Sequence, residues 1–85
     1  MKKIIIIGAG GNSKVIIDLM HSRIRSGEEL QILGFLDDDK DKTELMGYLS
    51  LGPVENIEKY HGAPDIYFVN GIGDNKIRKK VFEKY

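Results

Sequence analysis

Two glycine-rich stretches and one acidic run hold the residues best suited to chemistry. The first stretch is Gly8-Ala9-Gly10-Gly11-Asn12-Ser13. Glycines let a backbone turn sharply and approach a ligand closely. A helix opening directly after such a loop offers unpaired N–H groups and a partial positive charge. Phosphate, pyrophosphate and carboxylate are the guests this arrangement suits. The acidic run is Asp37-Asp38-Asp39-Lys40-Asp41-Lys42, and the second glycine stretch is Gly71-Ile72-Gly73-Asp74-Asn75. Against the pattern G-x-G-x-x-G/A, the matches are Gly8, Gly10 and then Ser13, a small residue but not a glycine. The same spacing also serves a tight strand-to-helix turn with no ligand. The acidic run equally serves as a solvated turn, which is how Asp39 and Asp41 are read. Spacing alone leaves both alternatives open for the glycines and for Asp37 and Asp38.

Other chemistries find little material. There are no cysteines, which excludes disulfide scaffolds and thiolate metal sites. Two histidines, His21 and His61, form no recognisable metal pattern and are read as structural or solvated. Ser13 is read as a helix cap rather than a nucleophile. The basic residues Lys76, Arg78, Lys79, Lys80 and Lys84 are read as the solvated face of a last helix. Lys plus Arg total 13 and Asp plus Glu total 13, so the formal charge is zero. That balance excludes the diffuse positive field of a general nucleic-acid binder. The longest apolar run, Ile4-Ile5-Ile6-Ile7, is far too short for a membrane span or the core of a signal peptide. A cytoplasmic location is the expectation.

The elements that must position these loops are legible as a βα alternation. Residues 2–7 read as a strand that is apolar on both faces, which belongs in the middle of a parallel sheet. Asn12 or Ser13 is expected to cap a helix with Val15, Ile16, Leu19, Met20 and Ile24 at helical spacing, closed by Gly27. Residues 30–36 read as a second strand and 47–51 as a short third. Pro53 opens a short helix with Val54, Ile57 and Tyr60. Residues 65–70 read as a further strand, followed by a last helix carrying Ile77, Val81, Phe82 and Tyr85 on one face. The class is therefore α/β with a parallel sheet of about four strands flanked by helices, in the expected order 3-2-1-4. In such sheets ligands bind beyond the C-terminal strand ends, where all three loops converge. A doubly wound sheet usually continues past a helix such as the last one, so residues 1–85 are expected to be a piece of a longer protein.

Three motifs in order carry a family resemblance. Lys3-Ile4-Ile5-Ile6-Ile7-Gly8-Ala9-Gly10-Gly11 with Ser13-Lys14-Val15-Ile16-Ile17-Asp18 is the first. Ile32-Leu33-Gly34-Phe35-Leu36-Asp37-Asp38-Asp39 is the second. Val69-Asn70-Gly71-Ile72-Gly73-Asp74-Asn75 with Ile77-Arg78-Lys79-Lys80 is the third. Together they resemble the start of the sialic-acid and bacillosamine-pathway (PglD/NeuD-like) sugar acetyltransferases. The resemblance implies a Rossmann-like N-terminal domain that holds a UDP-linked sugar. It also implies a C-terminal left-handed β-helix of hexapeptide repeats, which binds acetyl-CoA, carries the catalytic histidine and forms homotrimers. No hexapeptide repeat occurs in these residues, so the expectation is the sugar-nucleotide domain without its catalytic half.

Carried over by position, Gly8, Ala9, Gly10, Gly11, Asn12 and Ser13 would line the phosphate or sugar side. Asp37 and Asp38 would sit near the nucleoside, and Ile72, Gly73 and Asn75 would close the other wall. Where the family commonly has a histidine after the paired glycines, this chain has Asn12. Asparagine preserves a cap and a hydrogen-bond donor but not a proton-linked role. Read from the residues alone, a nicotinamide-dinucleotide module of an oxidoreductase or redox-sensing regulator is the alternative. A Rossmann-like interaction domain with purely structural glycine loops is the non-enzymatic one.

Overall fold

The computed structural model describes residues 1–71. Its elements are β1 (Lys2–Ile7), α1 (Gly11–Arg25), β2 (Leu30–Leu36), β3 (Glu44–Leu45) and β4 (Tyr48–Leu49). A single 3-10 turn (Val54–Asn56) then runs into α2 (Ile57–Tyr60), and β5 (Ile66–Asn70) follows. The class is α/β. β1 lies at the centre of a parallel sheet ordered β2-β1-β5.

β1 is central because both of its faces are apolar. Ile4 and Ile6 pack with Ala9, Ile17, Met20, Phe35 and Leu45 on the α1 side. Ile5 and Ile7 pack with Leu36, Val54 and Ile57 on the other side. Each such side chain withdrawn from water contributes about 1.5–3 kcal/mol, so the four isoleucines stitch the helical layers to the sheet. α1 stops where expected. Gly27 adopts φ 101°, its N–H donates to the Ile24 carbonyl, and the Glu28 N–H donates to the Arg23 carbonyl. These two bonds form a Schellman closure that needs a glycine.

Three expectations are corrected. First, the sheet has three strands among the described residues rather than about four. Segment 47–51 does run beside β2, where the order 3-2-1-4 puts it. There it makes one parallel bridge, Phe35 with Ser50, supported by the Leu51 N–H on the Phe35 carbonyl at 2.7 Å. Its strand, β4, does not join the parallel sheet because it folds back on β3 as an antiparallel hairpin, and Pro53 has no N–H with which to extend a ladder. Second, Val15 and Leu19 of α1 are exposed, whereas Ile17 and Met20 are buried. The stripe facing the sheet is Ser13, Ile17 and Met20, at positions i, i+4 and i+7. Third, the N-cap of α1 is Gly10, with no side-chain cap. Ser13 lies inside the helix, and its hydroxyl donates to the Gly8 carbonyl at 2.7 Å. The expected last helix lies outside the described residues. Among the described residues no helix is long and apolar enough to cross a membrane.

Gly34 explains how β2 accepts its neighbour. The β1–β2 register shifts at Ile4/Ile5, leaving Leu33 as the extra residue. A Cβ at Gly34 would stand 2.5 Å from the Leu49 carbonyl oxygen. Only glycine lets the backbone of β4 approach there.

Candidate functional site

The chain leaves β1 to α1 and β2 on one side and returns with β5 on the other. The crevice at this reversal, beyond the strand C-termini, is where open α/β sheets bind ligands. The glycine loop fills it. Gly8 makes the turn off β1 at φ 96°, a conformation that suits glycine. The buried Ala9 directs its N–H to Asp37 Oδ2 at 2.8 Å, and Asp37 Oδ1 accepts the Asp39 N–H at 2.8 Å. Asp37 thus fastens the glycine loop to the end of β2. Gly71 closes the other side. Its N–H donates to the Ile7 carbonyl at 2.8 Å, and a Cβ there would collide with Ser13 Oγ.

Gly10 and Gly11 differ from these glycines. Gly10 has φ −83° and ψ −170°, ordinary extended backbone, and Gly11 is already helical. A Cβ at either position meets nothing within 4 Å. Neither backbone strain nor packing demands glycine here, although glycine is tolerated at an N-cap such as Gly10. The space left open belongs to a hollow of about 550 Å³ lined by the Ala9, Gly10 and Gly11 segment. Its other walls are Lys14 and Asp18 from α1, Lys42 and Glu44 from the segment entering β3, and Leu45 and Met46 from the hairpin. The first turn of α1 has no acidic residue and instead carries Lys14, which the helix dipole disfavours at that end. An anion between Lys14, Lys42 and the first amides of α1 would offset both lysine charges and the helix dipole.

A second hollow, of about 390 Å³, is lined by Asp37, Asp38 and Asp39 together with Ser50, Gly52 and Pro53. Lys42 borders both hollows. Asp38 Oδ1 accepts the Val54 N–H at 2.8 Å and so closes the start of the 3-10 turn. The structure therefore gathers Gly8, Ala9, Gly10, Gly11, Ser13 and Asp37 at one strand-end crevice. It puts Asp38 on the neighbouring hollow. Asn12 is exposed in the first turn of α1. Ile72, Gly73 and Asn75 lie outside the described residues.

Lys14, Asp18, Lys42, Glu44 and Met46 were not among the expected site residues. Lys14 was within reach of sequence reasoning, because it follows the glycine loop by a single helical turn. The other walls depend on a hairpin that periodicity did not reveal. His21, read as structural or solvated, is structural: its Nε2 lies 2.6 Å from Tyr48 Oη and holds the hairpin against α1.

Comparison with known families settles the resemblance. The family model described as the PglD N-terminal domain matches residues 3–85. The chain belongs to the PglD N-terminal domain family. Among curated proteins, it is 34% identical over 76 residues to the uncharacterized protein L142 of Acanthamoeba polyphaga mimivirus, covering 89% of this chain and 14% of that protein. It is 29% identical over 85 residues to the UDP-N-acetylbacillosamine N-acetyltransferase of Bacillus subtilis (strain 168), covering 99% of this chain and 38% of that enzyme. This PglD N-terminal domain thus spans well under half the length of either relative.

Proposed function

We propose that this PglD N-terminal domain is the substrate-holding part of a sugar acetyltransferase of surface-glycan biosynthesis, and that its ligand is a UDP-linked amino sugar. The carrying observation is the Gly10-Gly11 pair, kept free of side chains without structural need at an uncapped helix start flanked by lysines. The pyrophosphate takes the first amides of α1, Lys14 and Lys42, through charge-assisted hydrogen bonds. The nucleoside lies toward Asp37 and Asp38, whose carboxylates keep lone pairs for ligand hydroxyls beyond the backbone bonds they already accept. The activity named for the Bacillus subtilis relative supports acetyl transfer to a nucleotide sugar. Acetyl-CoA then binds another part of a cytoplasmic, homotrimeric parent protein, which also supplies the catalytic base.

The test is calorimetric titration of the chain with UDP, a UDP-4-amino sugar and NAD in parallel. UDP and the UDP-sugar bind and NAD does not. NAD binding that depends on Asp37, with no response to UDP, overturns the reading in favour of a nicotinamide-dinucleotide module.

A further inference from the structure

Met46 sits where a methionine is out of place. β3 and β4 are joined by a two-residue loop, Met46-Gly47, with Leu45 paired to Tyr48. Both loop residues have positive φ, 51° at Met46 and 88° at Gly47. That is the sign pattern of a type I′ turn, whose first position favours asparagine, aspartate or glycine. An unbranched apolar side chain gains nothing from this backbone and is strained by it. Burial does not offset the strain, because Met46 remains 43% exposed. Leu45, the residue before it, is the one the hairpin buries in the core.

Met46 instead lines the hollow at the glycine loop. The hairpin that carries it is fixed, since Tyr48 is bonded to His21 of α1. The hollow is divided in character. Lys14 and Lys42 offer positive charge, Asp18 and Glu44 offer acceptors, and Leu45 and Met46 offer an apolar surface. An acceptor pair beside an apolar surface suits a hexose, which carries hydroxyl or amino donors on its edge and C–H groups on its face.

Building on the reading of the site as a UDP-sugar pocket, we propose that Met46 is a specificity-determining residue that packs its thioether chain on the C–H face of the sugar ring. The strained turn is the means of aiming that side chain over the pocket mouth. Methionine suits the task because its flexible, polarisable chain moulds to irregular surfaces.

The experiment compares Met46→Asn and Met46→Leu with the parent chain by thermal melting and by calorimetry with UDP and a UDP-amino sugar. Met46→Asn creates the preferred Asn-Gly turn, so it folds, and its melting temperature rises by about 2–8 °C. Its affinity for the UDP-sugar falls by about three- to tenfold, the worth of covering the remaining exposed part of the side chain, while its affinity for UDP is unchanged. Met46→Leu keeps the UDP-sugar affinity to within about twofold, because the apolar contact survives. Unchanged UDP-sugar affinity in Met46→Asn overturns the assignment, as do equal losses for UDP and UDP-sugar. A parent chain that binds neither ligand overturns the underlying pocket reading, and this proposal with it.

Discussion

Replacing Gly11 with alanine separates a glycine kept for the fold from one kept for a ligand. Gly11 is the first residue of α1, and a Cβ there meets nothing within 4 Å. Alanine at a helical position is favoured over glycine by about 0.5–1 kcal/mol. For a chain of this size that raises the melting temperature by about 2–8 °C. Ligand binding moves the opposite way. The new methyl projects into the hollow at the point where an anion must approach the first amides of α1. Losing one charge-assisted hydrogen bond of about 1.5–3 kcal/mol lowers affinity roughly ten- to hundredfold. Thermal melts of both chains and calorimetry with a UDP-amino sugar read the two effects separately. A variant that melts higher and still binds as tightly as the parent refutes the idea that Gly11 makes room for the ligand. A variant that melts lower shows that the glycine is needed by the fold.

Other substitutions test the surrounding framework. Gly71→Ala forces a Cβ onto Ser13 Oγ, and Gly34→Ala sets one 2.5 Å from the Leu49 carbonyl; each destabilises by about 1–3 kcal/mol, read as a lower urea midpoint. Asp37→Ala leaves the buried Ala9 N–H without its acceptor and costs about 1.5–3 kcal/mol; amide exchange at Ala9 quickens. Tyr48→Phe removes the bond to His21 and costs about 1 kcal/mol in urea unfolding, with the hairpin amides exchanging faster.

Much of this architecture is legible in the residues, for reasons that also mark the boundary of legibility. β1 and β2 begin and end where the pattern puts them, because runs that are apolar on both faces stop at Gly8 and Asp37. The short helical segment after Pro53 buries Val54 and Ile57 as its spacing requires. The phase of α1 is not legible. Val15, Ile16, Ile17, Leu19 and Met20 together cover most of the helix circumference, and the burial of Ser13 under Gly71 is what turns Ile17 inward. The β3–β4 hairpin is hidden for a similar reason, since its turn carries Met46 where turn chemistry calls for asparagine or glycine. With the hairpin hidden, Lys42, Glu44 and Met46 could not be placed at the site. Asp37 was legible as a residue of the crevice, but its bond to Ala9 links positions 28 apart in sequence, a distance that no local pattern reports.

Amide chemical-shift mapping of the chain during titration with a UDP-amino sugar is the most direct test of the pocket. The bound pyrophosphate shifts Gly10, Gly11 and Lys14 at the start of α1 together with Lys42, in one saturable process that NAD does not reproduce. Saturable shifts that spare these amides, or a response to NAD with none to the UDP-sugar, contradict it.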